Sequence, residues 1–195
     1  MLLLAMLVSC SGDTNEEPPA PVEAAQTEIP PERIAAEAAA LATASRAVNE
    51  VATTFSNRLH EAMASNGLDG AIQVCSEEAQ GMTALAGAST GAKVGRVGTR
   101  LRNPNNAGPE WVQEYLKSVE GKVAADAPGL SEVHEDTARV IKPIGVQSTC
   151  LSCHGSDIDP TVQAMVSERY PEDKATGYRE GELRGVIWAE VPVGG

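Results

Sequence analysis

Two residues separate Cys150 from Cys153, and His154 follows the second cysteine directly. Thiols at this spacing, with an imidazole carried just behind, match the needs of one ligand closely. Two sulfurs form thioethers to the vinyl groups of a porphyrin, and the histidine then lies beneath the iron as its proximal ligand. Only four cysteines and three histidines occur among 195 residues, so the C-x-x-C-H run is a specific signal. A zinc half-site or a disulfide would use the same cysteines. Zinc, however, needs two further ligands at a matching spacing, and His60 and His134 do not supply it. The run therefore predicts one covalent haem c, held by Cys150, Cys153 and His154.

Two other sets of residues bear on that chemistry. Cys75 has no obvious partner, and two readings of it stand side by side. It is a small hydrophobe on a buried helix face, or its sulfur ligates the iron from the side away from His154, where the metal holds it as thiolate. Met63, Met82, Met165, His60 and His134 compete for the same role, and methionine is common there in small cytochromes. The second set is basic. Lys93, Arg96, Arg100 and Arg102 crowd one stretch, and no acid occurs between Glu78 and Glu110. On a strand, Arg96, Arg100 and Arg102 share one face, where they either contact haem propionates or form the solvated side of a sheet.

These residues need elements to place them. Ile34, Ala38, Leu41, Ala42, Val48, Val51, Ala52, Phe55 and Leu59 recur at helical spacing, from Pro30-Pro31 to a stop at Asn66-Gly67. A second helix is expected from about Asp69 to Ala86, with Leu68, Ile72, Cys75, Ala79 and Met82 on its apolar stripe. Residues 92–102 read as a strand and 110–122 as a helix. Residues 137–146 read as a strand interrupted by Pro143, and 161–170 as a short helix. Residues 177–193 suggest a hairpin turning at Glu180-Gly181-Glu182. Helices first and strands later predict an α+β domain on an antiparallel sheet.

The first ten residues, MLLLAMLVSC, are apolar but too short to span a bilayer. They fit an export signal, and Leu7-Val8-Ser9-Cys10 resembles a lipobox that would lipidate Cys10. Ser11 after that cysteine points to the outer membrane. Residues 11–32 are rich in Pro, Ala and acids, the composition of a solvated spacer. The folded domain is then 33–195. The net charge of −12 argues against nucleic acid as a partner. Aromatics make up only 3% of the chain, so a buried haem would add apolar contact that side chains lack.

Several runs together resemble a bacterial and cyanobacterial family of single-haem c-type domains. They are Gly95 to Asn106 with Pro109-Glu110-Trp111, Lys142-Pro143-Ile144, Cys150 to Gly155, Tyr170 to Tyr178, and Gly181 to Gly185. Val97-Gly98 departs from the small hydroxylated residues more usual there. The resemblance implies a PAS-like fold over residues 35–193 and His/Cys axial ligation, with Cys75 at the position of the cysteine ligand. It also implies that such domains can occur as extracytoplasmic sensor modules fused to signalling domains. The expected function is an extracytoplasmic haem protein with an electron-transfer or redox role, alternatively a redox or gas sensor or ligand-binding module. It is not expected to be an enzyme. A periplasmic redox or signalling protein is the expected partner, with the lipid anchor holding the chain at the membrane.

Overall fold

The computed structural model describes residues 29–194. The expected lipidation site at Cys10 and the spacer up to residue 28 lie outside the described residues.

Helix α1 runs Pro31–Gln73 and opens on a proline at its first position, where no N–H partner is lost. Ala40, Ala44, Ala47, Val48 and Val51 form its buried stripe. Their small size lets the helix approach the sheet closely. Gly67 breaks the helical path with φ 61 and ψ −148, a left-handed conformation glycine adopts without a Cβ penalty. The break agrees with the boundary read at Asn66-Gly67, although backbone bonding carries on across it. A π-helical turn, Val74–Glu78, follows, and then α2, Ala79–Thr90. The latter passes the expected end at Ala86 and stops at Gly91, whose φ of 72 makes the left-handed cap.

Four antiparallel strands form one sheet in the order β1-β4-β3-β2: β1 Lys93–Gly98, β2 Leu130–His134, β3 Thr137–Gly145 and β4 Leu183–Pro192. The α+β architecture and antiparallel sheet are as expected, but three elements differ from the sequence reading. The strand expected over 92–102 ends at Gly98, because Thr99 turns away and bonds through its hydroxyl to Tyr178 and to Leu183 O. Arg100 and Arg102 therefore do not share a strand face with Arg96. The expected hairpin in 177–193 is absent. Residues before Leu183 make one isolated bridge, Val123 to Glu182, and β4 inserts between β1 and β3. The hairpin is instead β2–β3, turning at Glu135 with φ 55. Its first strand is too polar to be seen by alternation. Pro143 lies past Ile141, the last β3 residue paired to β2, so β3 has one neighbour there and the missing N–H is tolerated.

Helices cover both faces. Val48, Val51 and Ala86 pack with Val140, Ile187 and Ala189 on one side. On the other, α3 (Glu110–Ser118, shorter than expected) brings Val112 against Val97, Ile141, Val186 and Trp188. Two glycine substitutions separate crowding from propensity. A Cβ at Gly185 would sit 2.1 Å from Val97 O on the adjacent strand. Gly185→Ala should lower stability by roughly 1–3 kcal/mol, read as a fall in denaturant midpoint. Gly81 in α2 meets nothing within 4 Å, so Gly81→Ala should be neutral or stabilising by about 0.5–1 kcal/mol.

Candidate functional site

The C-x-x-C-H run folds as two short turns, Ser148–Cys150 and then α4, Leu151–His154. Cys150 and Cys153 are free thiols. Such a short helix holds its residues only if something outside it fixes them, and the loop 173–178 does. Tyr178 N donates to His154 O at 2.9 Å and Gly177 N to Gly155 O at 2.8 Å. His154 Nδ1 lies 2.6 Å from Ala175 O. A carbonyl can only accept, so Nδ1 carries the proton and Nε2 keeps its lone pair for a metal. Burial, with Arg184 and Arg102 nearby, holds the His154 pKa down to about 3, so the ring is a neutral ligand at physiological pH.

Arg102 ties this loop to the motif. Its guanidinium donates to Cys153 O at 2.5 Å and pairs with Asp173 at 3.0 Å. Asp173 Oδ1 in turn accepts from Ala175 N at 2.8 Å. A continuous path therefore runs from Arg102 through Asp173 and Ala175 to the His154 ring. Both side chains of the ion pair are buried, at 10% and 6% exposure. Asp173→Ala would strand the Arg102 charge, and a loss of about 3–5 kcal/mol is expected from thermal or denaturant unfolding.

These turns form one wall of a cavity of about 480 Å³, within the roughly 300–1,000 Å³ typical of cofactor and ligand sites. Cys150, Cys153, His154 and Cys75 all line it. Among the other sixth-ligand candidates, His60 and Met63 also line it, while Met82, Met165 and His134 do not. Met165 packs beside Ile72 and Val166, and His134 ends β2 in the open. Phe55, Leu59, Leu68 and Ile72 supply apolar surface, and Tyr170 closes one side.

Cys75 sits on the π-helical turn rather than on the regular helical stripe expected for it. Ser76 Oγ donates to Ile72 O at 3.0 Å and lies 3.2 Å from Gln73 O, competing with the backbone ladder where the turn widens. Such wide turns recur at functional sites. Burial pushes the Cys75 thiol up, while Arg96, Arg102 and Arg184 pull it back down.

The three candidate arginines all line the cavity but are held differently. Arg96 Nε donates to Thr83 Oγ1 at 3.3 Å, and its guanidinium lies 4.5 Å over the Phe55 ring. Arg100 donates to Thr176 O at 2.6 Å and Glu182 at 3.1 Å, stacked 3.6 Å over Tyr178. Sequence reasoning missed Arg184, Asp173 and Tyr178. The first lies in the Gly181–Gly185 run and the others in the Tyr170–Tyr178 run, so the signal was present without a role. Among the described residues no three His, Cys, Asp or Glu side chains are grouped to chelate a metal, and no helix is long and apolar enough to cross a membrane.

A domain of this architecture with these runs has known relatives. The sequence model of the Tll0287-like family matches residues 28–192, so the chain belongs to that family. Its fold is similar to the crystal structure of the cyanobacterial heme-protein Tll0287, with a TM-score of 0.56 and 22% identity over 84% of this chain and 97% of that one. No curated protein matches the chain.

Proposed function

We propose that this chain carries one haem c, joined covalently to Cys150 and Cys153, with His154 and Cys75 as axial ligands, in a PAS-like domain outside the cytoplasm. One observation carries the reading. The attachment motif, a histidine with Nε2 left free and a spare thiol all open on the same largely apolar chamber. The chamber suits the group on three counts: its volume, its neutral imidazole and, among the described residues, its lack of acidic side chains. The likeness in fold to the structure of a cyanobacterial heme-protein adds support.

When bound, haem supplies one-electron chemistry between ferric and ferrous iron. The chain's own residues would orient it and keep water away: the 173–178 loop fixes the His154 ring, and Phe55, Leu59 and Ile72 would offer it apolar surface. If His154 and Cys75 both hold the iron, no coordination position would be left for a substrate, which favours electron transfer or redox poise over catalysis. A second reading, as a redox or gas sensor, is favoured by the placement of Cys75 on a π turn, a weaker stretch of helix from which a ligand can detach. A midpoint potential separates them: a very negative value with ligand exchange on reduction supports sensing, and a value matched to periplasmic carriers supports transfer.

The test of the core reading is chemical. Protein made in a host with c-haem maturation should keep its colour through acid–acetone extraction, and loss of colour would sink the proposal. The lipid anchor is tested separately. Wild-type chain should partition with membranes and incorporate labelled fatty acid, whereas Cys10→Ala should appear in the soluble periplasmic fraction; equal solubility of the two leaves plain secretion. The expected partner is a periplasmic redox or signalling protein.

A further inference from the structure

Among the described residues, the cavity is lined by Arg96, Arg100, Arg102, Lys142 and Arg184, and by no Asp or Glu. Three of these cations are already satisfied. Arg100 pairs with Glu182, Arg102 with Asp173, and exposed Lys142 donates to Asn49 at 2.9 Å. Two are not. Arg96 reaches only the Thr83 hydroxyl and the Phe55 face. Arg184 donates to Arg100 O at 3.2 Å, lies 3.5 Å from the Tyr178 hydroxyl, and meets no carboxylate among the described residues. Burial draws the pKa of both guanidiniums below its usual value, although guanidinium stays charged. Both side chains are half-buried, and the acidic group that both face across the cavity is the Cys75 thiol. Charge held there without a carboxylate is costly, and a cavity that gathers two such cations with no Asp or Glu among the described residues is built for a further anion.

The backbone shows how Arg184 arrives there. Ile144 pairs with Gly185, but the next β3 residue, Gly145, pairs with Leu183, so Arg184 is an extra residue in β4. Bulges of this kind re-aim a side chain out of strand alternation. Alternation alone would send it away from the cavity, since Gly98 and Gly185 pair and Arg96 shares the Gly98 face. Gly185 permits the close approach to Val97 O that the bulge imposes.

We infer that Arg96 and Arg184, from neighbouring strands, hold the two propionate carboxylates of the bound haem, and that Arg100 and Arg102 are structural ties. This rests on the haem reading above. Resonance Raman spectra of the holoprotein read the propionate-bending bands, which move with hydrogen bonding, and haem staining of the same samples reports attachment. Arg96→Leu and Arg184→Leu should each shift one band towards that of unbonded propionate, with covalent haem retained. Arg100→Leu should leave both bands in place. If the bands stay put in Arg96→Leu and Arg184→Leu while haem is attached, or move in Arg100→Leu, the assignment is overturned and the haem reading stands. Absence of covalent haem from the wild type overturns the haem reading itself. Should a leucine variant fail to fold, Arg96→Lys and Arg184→Lys take its place: each should move one propionate band with covalent haem retained, and unmoved bands overturn the assignment.

Discussion

Cys150→Ala/Cys153→Ala, made in a host with c-haem maturation, is expected to lose haem staining on denaturing gels entirely. Each single variant should retain at most a weak stain. The reasoning is covalent rather than conformational. A non-covalently held haem leaves the chain when it unfolds, so survival through denaturation reports the thioethers alone. Both thiols are free and both line the cavity. Burial holds the Cys153 thiol pKa up. The side chains are half-buried, so their truncation to alanine removes little packing. Equal staining of the double variant and the wild type would exclude attachment through this motif.

The second large effect is at Cys75. Thiolate donation stabilises ferric iron, so the wild-type potential should lie below that of a His/Met cytochrome, and the ferric spectrum should be low-spin with thiolate character. Cys75→Ser should raise the midpoint potential by on the order of 0.1 V or more, within the ~0.8 V that axial ligands span. It should also open a coordination position to carbon monoxide or imidazole. The substitution is nearly isosteric and lies on a turn already departing from α-helix, so the fold should be kept. Cys75→Met tests the same position from the other side, moving the potential towards that of an ordinary carrier if the π turn gives the longer side chain room. An unchanged spectrum and potential in Cys75→Ser would leave Cys75 as packing. Met63 and His60, which also line the cavity, would then be the candidates.

The C-x-x-C-H run, the candidate ligand residues and the broad α+β class were legible in the sequence because each depends on short-range chemistry. Two thiols and an imidazole at fixed spacing define a motif without reference to the rest of the chain. The small apolar residues of α1 recur at 3.6-residue spacing, and Asn66-Gly67 marks the kink through glycine's freedom at positive φ. What remained hidden depends on contacts between distant segments. The hairpin expected at 177–193 failed because β4 finds its partners in β1 and β3, tens of residues away, rather than in its own neighbour. The shared face of Arg96, Arg100 and Arg102 dissolved because Thr99 bonds to Tyr178 and ends the strand. Arg184 could not be singled out, since a bulge that reverses side-chain alternation is set by pairing register, not by composition. The tautomer of His154 is likewise decided by Ala175, a residue whose side chain carries no chemistry at all. Its carbonyl is brought to the ring through Asp173 and Arg102, and only the folded chain puts those groups within reach of one another.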